Sequence, residues 1–339
     1  MAESNRRFLL RERPSGRIQP DTFEFVEEDI PEIGEGEALV RTEWISLDPT
    51  NRTWINDTPT YLPPVAIGEV MRAAGLGRVV ESNNPNYELG QLVQGLVGWQ
   101  DYVVASDSMP LLPVSEVPGV SPSTYMGALG MTGLTAWVGI NDIGKPQPGE
   151  TVVVSAAAGA VGSVAGQLAK AAGARVVGIA GGPDKCAMLT ERLGFDAAVD
   201  YKHADWRQQL IAATPEGIDV DFENVGGEIM ETVFARLNLR ARVALCGLIS
   251  GYNEDDPPPG PRSFGILLVN RVHLQGFIVL DHFGRIGEAM ADISELIAAG
   301  KLEPLETIVE GFETLPTAIN MLFDGANTGK LCVRVGDEG

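Results

Sequence analysis

The sequence predicts an α/β protein in which a doubly wound, parallel-sheet domain interrupts a mainly antiparallel β domain. From about residue 126 to residue 300, apolar β-branched runs alternate with helical patterns, as a parallel sheet covered by helices on both faces requires. Before residue 125, short alternating strands are separated by Pro and Gly. After residue 300 a strand-like pattern returns. We therefore expect one domain at residues 1–125 with 301–339, and another at residues 126–300.

The individual elements follow from hydrophobic periodicity, which is two for strands and 3.6 for helices. In the first domain, strands are predicted at residues 6–13, 22–26, 37–44 and 76–80. In the second, strands are predicted at residues 151–155, 175–179, 220–224 and 242–246, with helices at 161–172, 184–193, 228–237 and 283–299. The tail is predicted as a strand at 305–311, a helix at 315–323 and a strand at 330–335, and residues 255–261 as a stiff, polar loop.

Composition excludes several classes of function. The formal net charge is −21, so the surface repels nucleic acids and anionic lipids. The uncharged run at residues 152–169 is rich in Ala and Gly, which argues against a membrane span. The three cysteines are far apart, which favours reduced, mostly buried thiols. No secretory signal is recognisable at the N-terminus, and we expect a cytoplasmic protein.

The stretch SAAAGAVG, residues 155–162, follows a predicted strand and precedes a predicted helix that starts near Val161. In a dinucleotide-binding unit this is the place of the glycine-rich turn that holds the pyrophosphate. Gly159 and Gly162 match the fingerprint, while Ala157 stands in the first glycine position. A tight packing joint is the alternative, but the strand–turn–helix context favours a cofactor turn.

The end of the second strand indicates which dinucleotide binds. An NAD enzyme usually places an acidic side chain there to hold the ribose 2′-hydroxyl, whereas this chain has Ala180 and Gly181. Lys185, in the first turn of the next helix, is positioned to reach a 2′-phosphate, which favours NADP. The alternative is that Lys185 is a solvated helix residue partly offset by Asp184.

Several ordered motifs carry a resemblance that spans nearly the whole chain. They are SLDP with Arg52, MTGLTAW at 131–137, AAAGAVG, AGGPDK at 180–185, DYK at 200–202, ENVGG at 223–227, CGLISGY at 246–252, QGFIV at 275–279 and GANTGK at 325–330. The chain thereby resembles the zinc-free branch of the medium-chain dehydrogenase/reductase superfamily, in particular its prostaglandin reductase, alkenal double-bond reductase and curcumin reductase group. This resemblance implies a Rossmann NADP-binding domain and a GroES-like catalytic domain.

The resemblance also implies the cofactor contacts. Lys185 and Tyr201 would bind the 2′-phosphate, and the remaining residues would hold the pyrophosphate, ribose and nicotinamide. The full set is Gly159, Ala160, Val161, Gly162, Gly181, Lys185, Tyr201, Asn224, Cys246, Gly247, Ile249, Ser250, Tyr252, Phe277, Ile278, Val279 and Asn327. Three alternatives stay open: Tyr201 as a surface residue, Asn224 as the cap of the helix near Glu228, and Asn327 as a purely structural loop residue.

No zinc site is expected. Zinc-dependent relatives need a thiolate and an imidazole, yet the first cysteine is Cys186 and the first histidine is His203. Ser46 stands where a ligand cysteine would be, and the Gly-His-Glu segment appears as Gly68-Glu69. Oxygen ligands alone do not make a usual zinc site, so metal-assisted alcohol oxidation is rejected.

Without zinc, a hydride acceptor must already be activated by conjugation. The reaction implied is NADPH-dependent reduction of the carbon–carbon double bond of α,β-unsaturated ketones or aldehydes. Tyr252 is the predicted catalytic residue, as the hydroxyl donor to the forming enolate, and its alternative role is to line the pocket wall. Substrate-lining residues are predicted to be Thr50, Trp54, Tyr61, Trp99 and Met131.

Other interpretations remain open. One is a zinc-free NADPH quinone reductase with the same fold, and another is a non-catalytic NADPH-binding protein, since fold does not fix function. The apolar run at residues 264–274 is predicted to lie at an exposed sheet edge and to join two subunits in a homodimer. A buried segment within one chain is the alternative.

Overall fold

The structure is a computed structural model and describes residues 4–58, 60–117, 119–256 and 260–336. The predicted loop at 255–261 therefore lies partly outside the described residues. The strands are β1 Asn5–Leu10, β2 Phe23–Glu28, β3 Ala38–Leu47, β4 Ala74–Ser82, β5 Leu92–Leu96, β6 Tyr102–Ala105, β7 Leu112–Pro113, β8 Thr151–Val154, β9 Arg175–Ala180, β10 Ala197–Asp200, β11 Ile218–Glu223, β12 Leu237–Leu245, β13 His273–Gly276, β14 Glu306–Glu310 and β15 Lys330–Arg334.

Helices lie mainly in the central part of the chain. The α-helices are α1 Pro49–Trp54, α2 Met131–Val138, α3 Ala160–Ala171, α4 Pro183–Glu191, α5 Trp206–Ala213, α6 Gly227–Phe234, α7 Gly265–Val269, α8 Ile286–Ala298, α9 Leu315–Ala318 and α10 Met321–Asp324. Short 3₁₀ segments include Ile249–Gly251, which precedes Tyr252, and Val279–Arg285, which precedes α8.

The described residues divide into two compact units. The first contains those up to Met126, Thr307–Ala326 and those from Leu331 onward, and the second contains Gly127–Glu306 and Asn327–Lys330. The structure differs from the predicted boundary at residues 301–306 and 327–330, which belong to the second unit. The reason is local: the Gly329 amide donates to the carbonyl of Ala158 at 2.7 Å, and the Lys330 amide donates to that of Leu305 at 2.8 Å.

The first unit is built on a sheet with the order β14-β15-β3-β4-β5-β7, in which β6 also pairs with β3. The pairings of β3 with β4, β6 and β15, and of β5 with β4 and β7, are antiparallel. Strands β1 and β2 form a separate antiparallel ribbon. Its residue Phe8 stacks on Phe312 with the ring centroids 5.2 Å apart, within one hydrophobic core.

The second unit is a parallel sheet with the order β10-β9-β8-β11-β12-β13. All of its strand pairings are parallel, and counted within the unit the order is 3-2-1-4-5-6, that of a Rossmann fold. Strands β8, β9 and β11 are buried on both faces, in agreement with the continuous apolar runs Val152–Val154 and Val176–Ile179. The predicted fold class is confirmed.

The thiols agree only in part with the prediction. Cys186, Cys246 and Cys332 are all free, but only Cys332 is buried, while the other two are partly exposed. None of the helices in the described part of the chain combines the length and apolar character that a bilayer crossing requires.

Glycines permit the close packing of helix α3 against its neighbours. A Cβ on Gly166 would lie 1.9 Å from Cζ of Phe195, a residue of the core with 3% exposure. We expect Gly166→Ala to lower stability by about 1–3 kcal/mol, because the ring must move within a filled core. Thermal unfolding followed by circular dichroism measures this loss.

The matched control is Gly287→Ala in helix α8, where nothing lies within 4 Å of the added Cβ. Alanine has the better helix propensity by roughly 0.8–1.0 kcal/mol, so this variant should unfold at an equal or higher temperature. If both variants destabilise the protein to the same degree, the packing argument is wrong.

Candidate active site

The carboxyl ends of strands β8 to β13 lie along one edge of the parallel sheet. The order of the strands reverses between β8 and β11, and in such sheets ligands bind in the crevice at this switch point. The predicted site residues of the second unit follow directly on the strand ends. Gly159–Gly162 follow β8, Gly181 follows β9, Tyr201 follows β10, Asn224 follows β11, Cys246 follows β12 and Phe277–Val279 follow β13.

The glycine-rich turn brings a helix N-terminus to this edge. Helix α3 begins at Ala160, one residue before the predicted start, with Gly159 in the N-cap position. The first amides of a helix have no partner within it and can donate to an anion. A Cβ on Gly162 would lie 2.4 Å from the carbonyl oxygen of Ala156. Glycine at 162 therefore allows the helix to start directly against the turn.

Two alanines of the turn, Ala156 and Ala157, stand at positions that glycine usually occupies. The left-handed residue is Ala156, with φ of +48°, a conformation that costs an L-residue with a Cβ about 1–2 kcal/mol. Ala157, in the first glycine position, has 0% exposure and donates its amide to Ile179 at 3.0 Å. Its Cβ lies 2.9 Å from the point where Gly178 would carry one. The missing side chain at Gly178 thus makes room for Ala157.

Four residues around the end of β9 form a group that we call the cationic cluster: Gly181, Lys185, Tyr201 and Lys202. A Cβ on Gly181 would lie 2.9 Å from the Tyr201 ring and 3.0 Å from Cε of Lys202. The Asp200 carboxylate holds the loops together, because it accepts the amides of Gly182 at 2.7 Å and Lys202 at 3.0 Å. Burial, and secondarily the charge of Lys202, lower the pKa of Lys185. A bound anion would favour the charged form of Lys185 and so oppose this lowering of its pKa.

The segment at 327–330 closes over the turn within the same unit. Lys185 donates from Nζ to the carbonyl oxygen of Asn327 at 2.6 Å. Asn327 is buried and donates its side-chain amide to the carbonyl of Gly329 at 3.0 Å. The structure thus gives Asn327 a loop-stabilising role, and its main chain orients Lys185.

A buried hydrogen-bond network, which we call the carboxyl network, links the ends of β8 and β11. Glu223, with 0% exposure, accepts at Oε1 from the Ser155 hydroxyl at 2.9 Å and from the amides of Val225 at 2.5 Å and Gly226 at 2.8 Å. Ser155 also accepts the Asn224 amide at 2.7 Å. The network ties the two strands together across the switch point.

Asn224 does not cap helix α6, so this alternative is wrong. Its side-chain amide donates to the carbonyl oxygen of Ser155 at 2.8 Å, and helix α6 has Gly226 in the N-cap position. Glu223 supplies the acceptor for the Gly226 amide instead. The Asn224 side chain is therefore held at the strand edge rather than at the helix start.

Tyr252 lies beside the end of strand β12. Its hydroxyl oxygen accepts the Leu248 amide at 3.2 Å and lies 3.4 Å from the position of a Cβ on Gly247. The Cys246 and Gly247 amides both donate to the carbonyl of Glu223, at 2.9 and 3.1 Å. A tyrosine hydroxyl is both a hydrogen-bond acceptor and a hydrogen-bond donor, the type of group that an oxyanion requires.

Of the predicted substrate-lining residues in the first unit, Thr50 and Tyr61 are in contact, and Trp54 belongs to the buried core. The hydroxyl of Tyr61 forms a short hydrogen bond with that of Thr50. Trp54 lies under the Arg72 guanidinium, 5.4 Å from the ring. Burial raises the pKa of Tyr61, so its hydroxyl stays neutral. Thr50 and Tyr61 thus bring two hydroxyl groups together at an exposed position, whereas the indole of Trp54 is only 7% exposed.

Trp99 and Met131 lie elsewhere. Trp99 has 0% exposure and packs against Phe8 and Phe23, with centroid distances of 6.0 and 4.7 Å. It is thus a core residue of the first unit, which corrects its prediction as a substrate-lining residue. Met131 opens helix α2 in the second unit and is partly exposed.

The residues at the positions of zinc ligands are engaged within the first unit. The Ser46 hydroxyl forms a short bond to Asp48, and Glu69 accepts the Ala66 amide at 2.9 Å. Among the described residues, no group of three or more His, Cys, Asp or Glu side chains is arranged to hold a metal ion.

Three residues near the predicted site, Lys202, Glu223 and Arg72, were not predicted from the sequence. Lys202 lies inside the DYK motif and Glu223 inside the ENVGG motif, so the sequence did mark both positions. It did not indicate which groups the Glu223 carboxylate would bind. Arg72 carries no sequence signal, because its contact with Trp54 arises only when separate segments fold together.

Comparison with known proteins identifies the family. Residues 6–113 match the family described as the N-terminal domain of oxidoreductase, and residues 160–296 match the one described as zinc-binding dehydrogenase. The NADPH-dependent curcumin reductase of Escherichia coli is 44% identical over 99% of both chains. The NADP(+)-dependent 2-alkenal reductase of Nicotiana tabacum is 36% identical over 100% of both.

A solved structure agrees. CurA of Vibrio vulnificus in complex with NADPH superimposes with a TM-score of 0.93 at 41% identity, covering 98% of this chain and 100% of that one. The chain belongs to the medium-chain dehydrogenase/reductase superfamily, in the zinc-free group that contains the curcumin, alkenal and prostaglandin reductases.

Proposed function

We propose that the protein is an NADPH-dependent reductase of the carbon–carbon double bond in α,β-unsaturated ketones or aldehydes. The observation that carries the proposal is the Tyr252 hydroxyl at the carboxyl end of β12, on the same sheet edge as the glycine-rich turn. Relatives named curcumin reductase and 2-alkenal reductase, at 44% and 36% identity, support it.

The residues of the second unit suit NADPH. The α3 amides and Gly159 to Gly162 would hold the pyrophosphate, while Lys185, Tyr201 and Lys202 would hold the 2′-phosphate in the cradle that the missing side chain of Gly181 leaves. Asn224, Cys246–Tyr252 and Phe277–Val279 would line the ribose and nicotinamide. The named relatives depend on NADPH or NADP(+), which agrees with this donor set.

The reaction would place negative charge on the carbonyl oxygen of the substrate, so a group at this edge of the sheet must stabilise that charge. When bound, NADPH supplies a hydride to the β-carbon of the substrate. The electron pair of the double bond then moves toward the carbonyl, and the Tyr252 hydroxyl donates a hydrogen bond to the resulting enolate oxygen. A preorganised donor of this kind contributes roughly 3 kcal/mol to the transition state. The reference pKa of tyrosine is about 10, so Tyr252 orients the substrate and water delivers the α-proton.

The first test is turnover of enones. Purified protein with NADPH should consume simple enones and enals, with products saturated at the carbon–carbon bond by mass spectrometry. Tyr252→Phe should lower kcat on the order of 100-fold, because one oxyanion donor is lost, while the affinity for NADPH stays near that of the wild type.

The control for this variant is Tyr87→Phe in the first unit. Tyr87 likewise accepts a backbone amide, that of Leu111 at 3.1 Å, and its loss should lower stability but not kcat. Carbonyl reduction with the double bond intact would refute the proposal. Turnover of quinones alone would favour a quinone reductase, and NADPH binding without any turnover would favour a non-catalytic binding protein.

The cofactor preference is tested at Lys185. We expect Lys185→Ala to raise the KM for NADPH roughly tenfold to a hundredfold, since a hydrogen bond to a charged group is worth about 1.5–3 kcal/mol. The KM for NADH should hardly change. Steady-state kinetics with both cofactors and one enone measure the two values.

Lys170→Ala is the control, because Lys170 lies on helix α3 of the same unit and pairs with Asp196 at 2.9 Å. It should leave both KM values unchanged. An equal rise for NADPH and NADH in Lys185→Ala would contradict the 2′-phosphate role.

We further propose that Thr50 and Tyr61 of the first unit contact the substrate. We also propose that the protein resides in the cytoplasm as a homodimer. Free thiols agree with a reducing compartment. Support for the dimer comes from the edge of the parallel sheet, where β13 ends the strand order and helix α7 exposes Leu268 at 81% and Val269 at 64%. A large exposed apolar patch of this kind marks an interaction site.

The dimer is tested by Leu268→Glu, which places a charge in the centre of this patch. Sedimentation velocity should show the wild type at twice the mass of one chain and the variant at the mass of one chain. Leu89→Glu, at a similarly exposed leucine (72%) of the first unit, should remain dimeric. A monomeric wild type would overturn the proposal.

A further inference from the structure

The carboxyl network contains a fully buried acidic residue that no step of the proposed reaction uses. We propose that Glu223 is a positioning residue, whose Oε1 holds the segments that bind the nicotinamide half of NADPH in their binding geometry. This inference rests on the proposed NADPH site. It concerns how this chain builds that site, since Glu223 itself touches neither cofactor nor substrate.

The contacts of Glu223 reach segments at the ends of three strands around the switch point. The side chain accepts from Ser155 before the turn, and from Val225 and Gly226 after β11. Its main-chain carbonyl accepts from Cys246 and Gly247 after β12. One residue therefore connects the ends of three adjacent strands, β8, β11 and β12.

The turn after β11 depends on this acceptor. Gly226 and Gly227 have φ values of +77° and +55°, and helix α6 has no side-chain cap of its own. Without Oε1, the amides of Val225 and Gly226 would lose their buried partner, and an unsatisfied buried donor destabilises the conformation that contains it. The Ser155 hydroxyl, which accepts the main-chain amide of Asn224, would keep only its longer contact of 3.4 Å with the Phe222 carbonyl.

The carboxyl group of Glu223 is fully buried, which is unusual for an acidic side chain. It lies in an apolar interior, and a second buried carboxyl, Asp221, lies two residues earlier on the same face of β11. Burial raises the pKa of both residues. The two differ in their partners: among the described residues, neither oxygen of Asp221 has a hydrogen-bond partner, whereas Oε1 of Glu223 has three.

This difference provides a matched pair of variants. Glu223→Ala removes the acceptor, Glu223→Gln keeps an acceptor oxygen in its place, and Asp221→Asn changes the neighbouring buried carboxyl that holds no loop. We expect Glu223→Ala to weaken NADPH binding roughly tenfold to a hundredfold, since three donors lose their acceptor. Glu223→Gln and Asp221→Asn should bind NADPH nearly as the wild type does.

Two probes locate the effect. NADPH engages the whole site, whereas adenosine 2′,5′-bisphosphate engages only the half that we assign to the turn and the cationic cluster. Dissociation constants from titration calorimetry should show a large loss for NADPH in Glu223→Ala and a much smaller one for the bisphosphate. NADH binding should weaken by the same factor as NADPH binding, because the 2′-phosphate is not involved.

The outcomes separate this inference from the proposed function. If the wild type binds no NADPH, the proposed function is wrong and the inference falls with it. If the wild type binds NADPH and a folded Glu223→Ala variant binds it equally well, only the inference is overturned. Equal loss of both probes, or equal loss in Glu223→Gln and Glu223→Ala, would also overturn it.

If Glu223→Ala does not fold, Ser155→Ala provides the measurement. It removes the hydroxyl that bridges Glu223 and the Asn224 amide, with bonds of 2.9 and 2.7 Å. The inference expects weaker NADPH binding with a smaller loss for the bisphosphate. A folded Ser155→Ala variant with the dissociation constant of the wild type would contradict it.

Discussion

The reversal of strand order between β8 and β11 is the constraint on which the site depends. Strands β8 and β11 are neighbours in the sheet but are not consecutive in the chain. The connections that follow them run toward opposite edges of the sheet, so the two strand ends lie side by side without a direct link. Glu223, Ser155 and Asn224 bridge this gap with hydrogen bonds of 2.7 to 2.9 Å. Ligands bind at this point in sheets of this kind, and here the N-terminus of helix α3 follows β8 while the segment that leads to Tyr252 follows β12.

Three glycines shape the part of the site around the turn and the end of β9. Gly178 leaves room for the Cβ of Ala157, Gly162 lets helix α3 start against the turn, and Gly181 leaves a space next to Tyr201 and Lys202. In a chain with a net charge of −21, an anionic cofactor gains nothing from the overall field. Two lysines lie near this space, and Lys185, whose pKa is lowered first by burial and then by the charge of Lys202, provides with Lys202 the local attraction that the whole surface lacks.

The long, strongly patterned elements were predictable from the sequence. Strands β8, β9 and β11 and helices α3, α4 and α8 lie within a few residues of their predicted positions, because apolar runs and glycine-rich turns are local signals. Short elements such as β10, α2 and α7 were not predicted, since tertiary packing stabilises them more than their own periodicity does. The segment at residues 315–323 was predicted as one helix and forms two short ones, α9 and α10.

The sequence by itself determined the fold class, the glycine-rich turn between β8 and α3 and the absence of an acidic residue after β9, since these depend on residues that are neighbours in the chain. Only the tertiary structure decided what those residues contact. It placed Trp99 in the core and turned Asn224 toward Ser155. It also joined Lys202 to Lys185 and revealed Glu223 as a shared acceptor. Contacts of the site connect residues up to 142 positions apart, as between Lys185 and Asn327, and no local pattern specifies them.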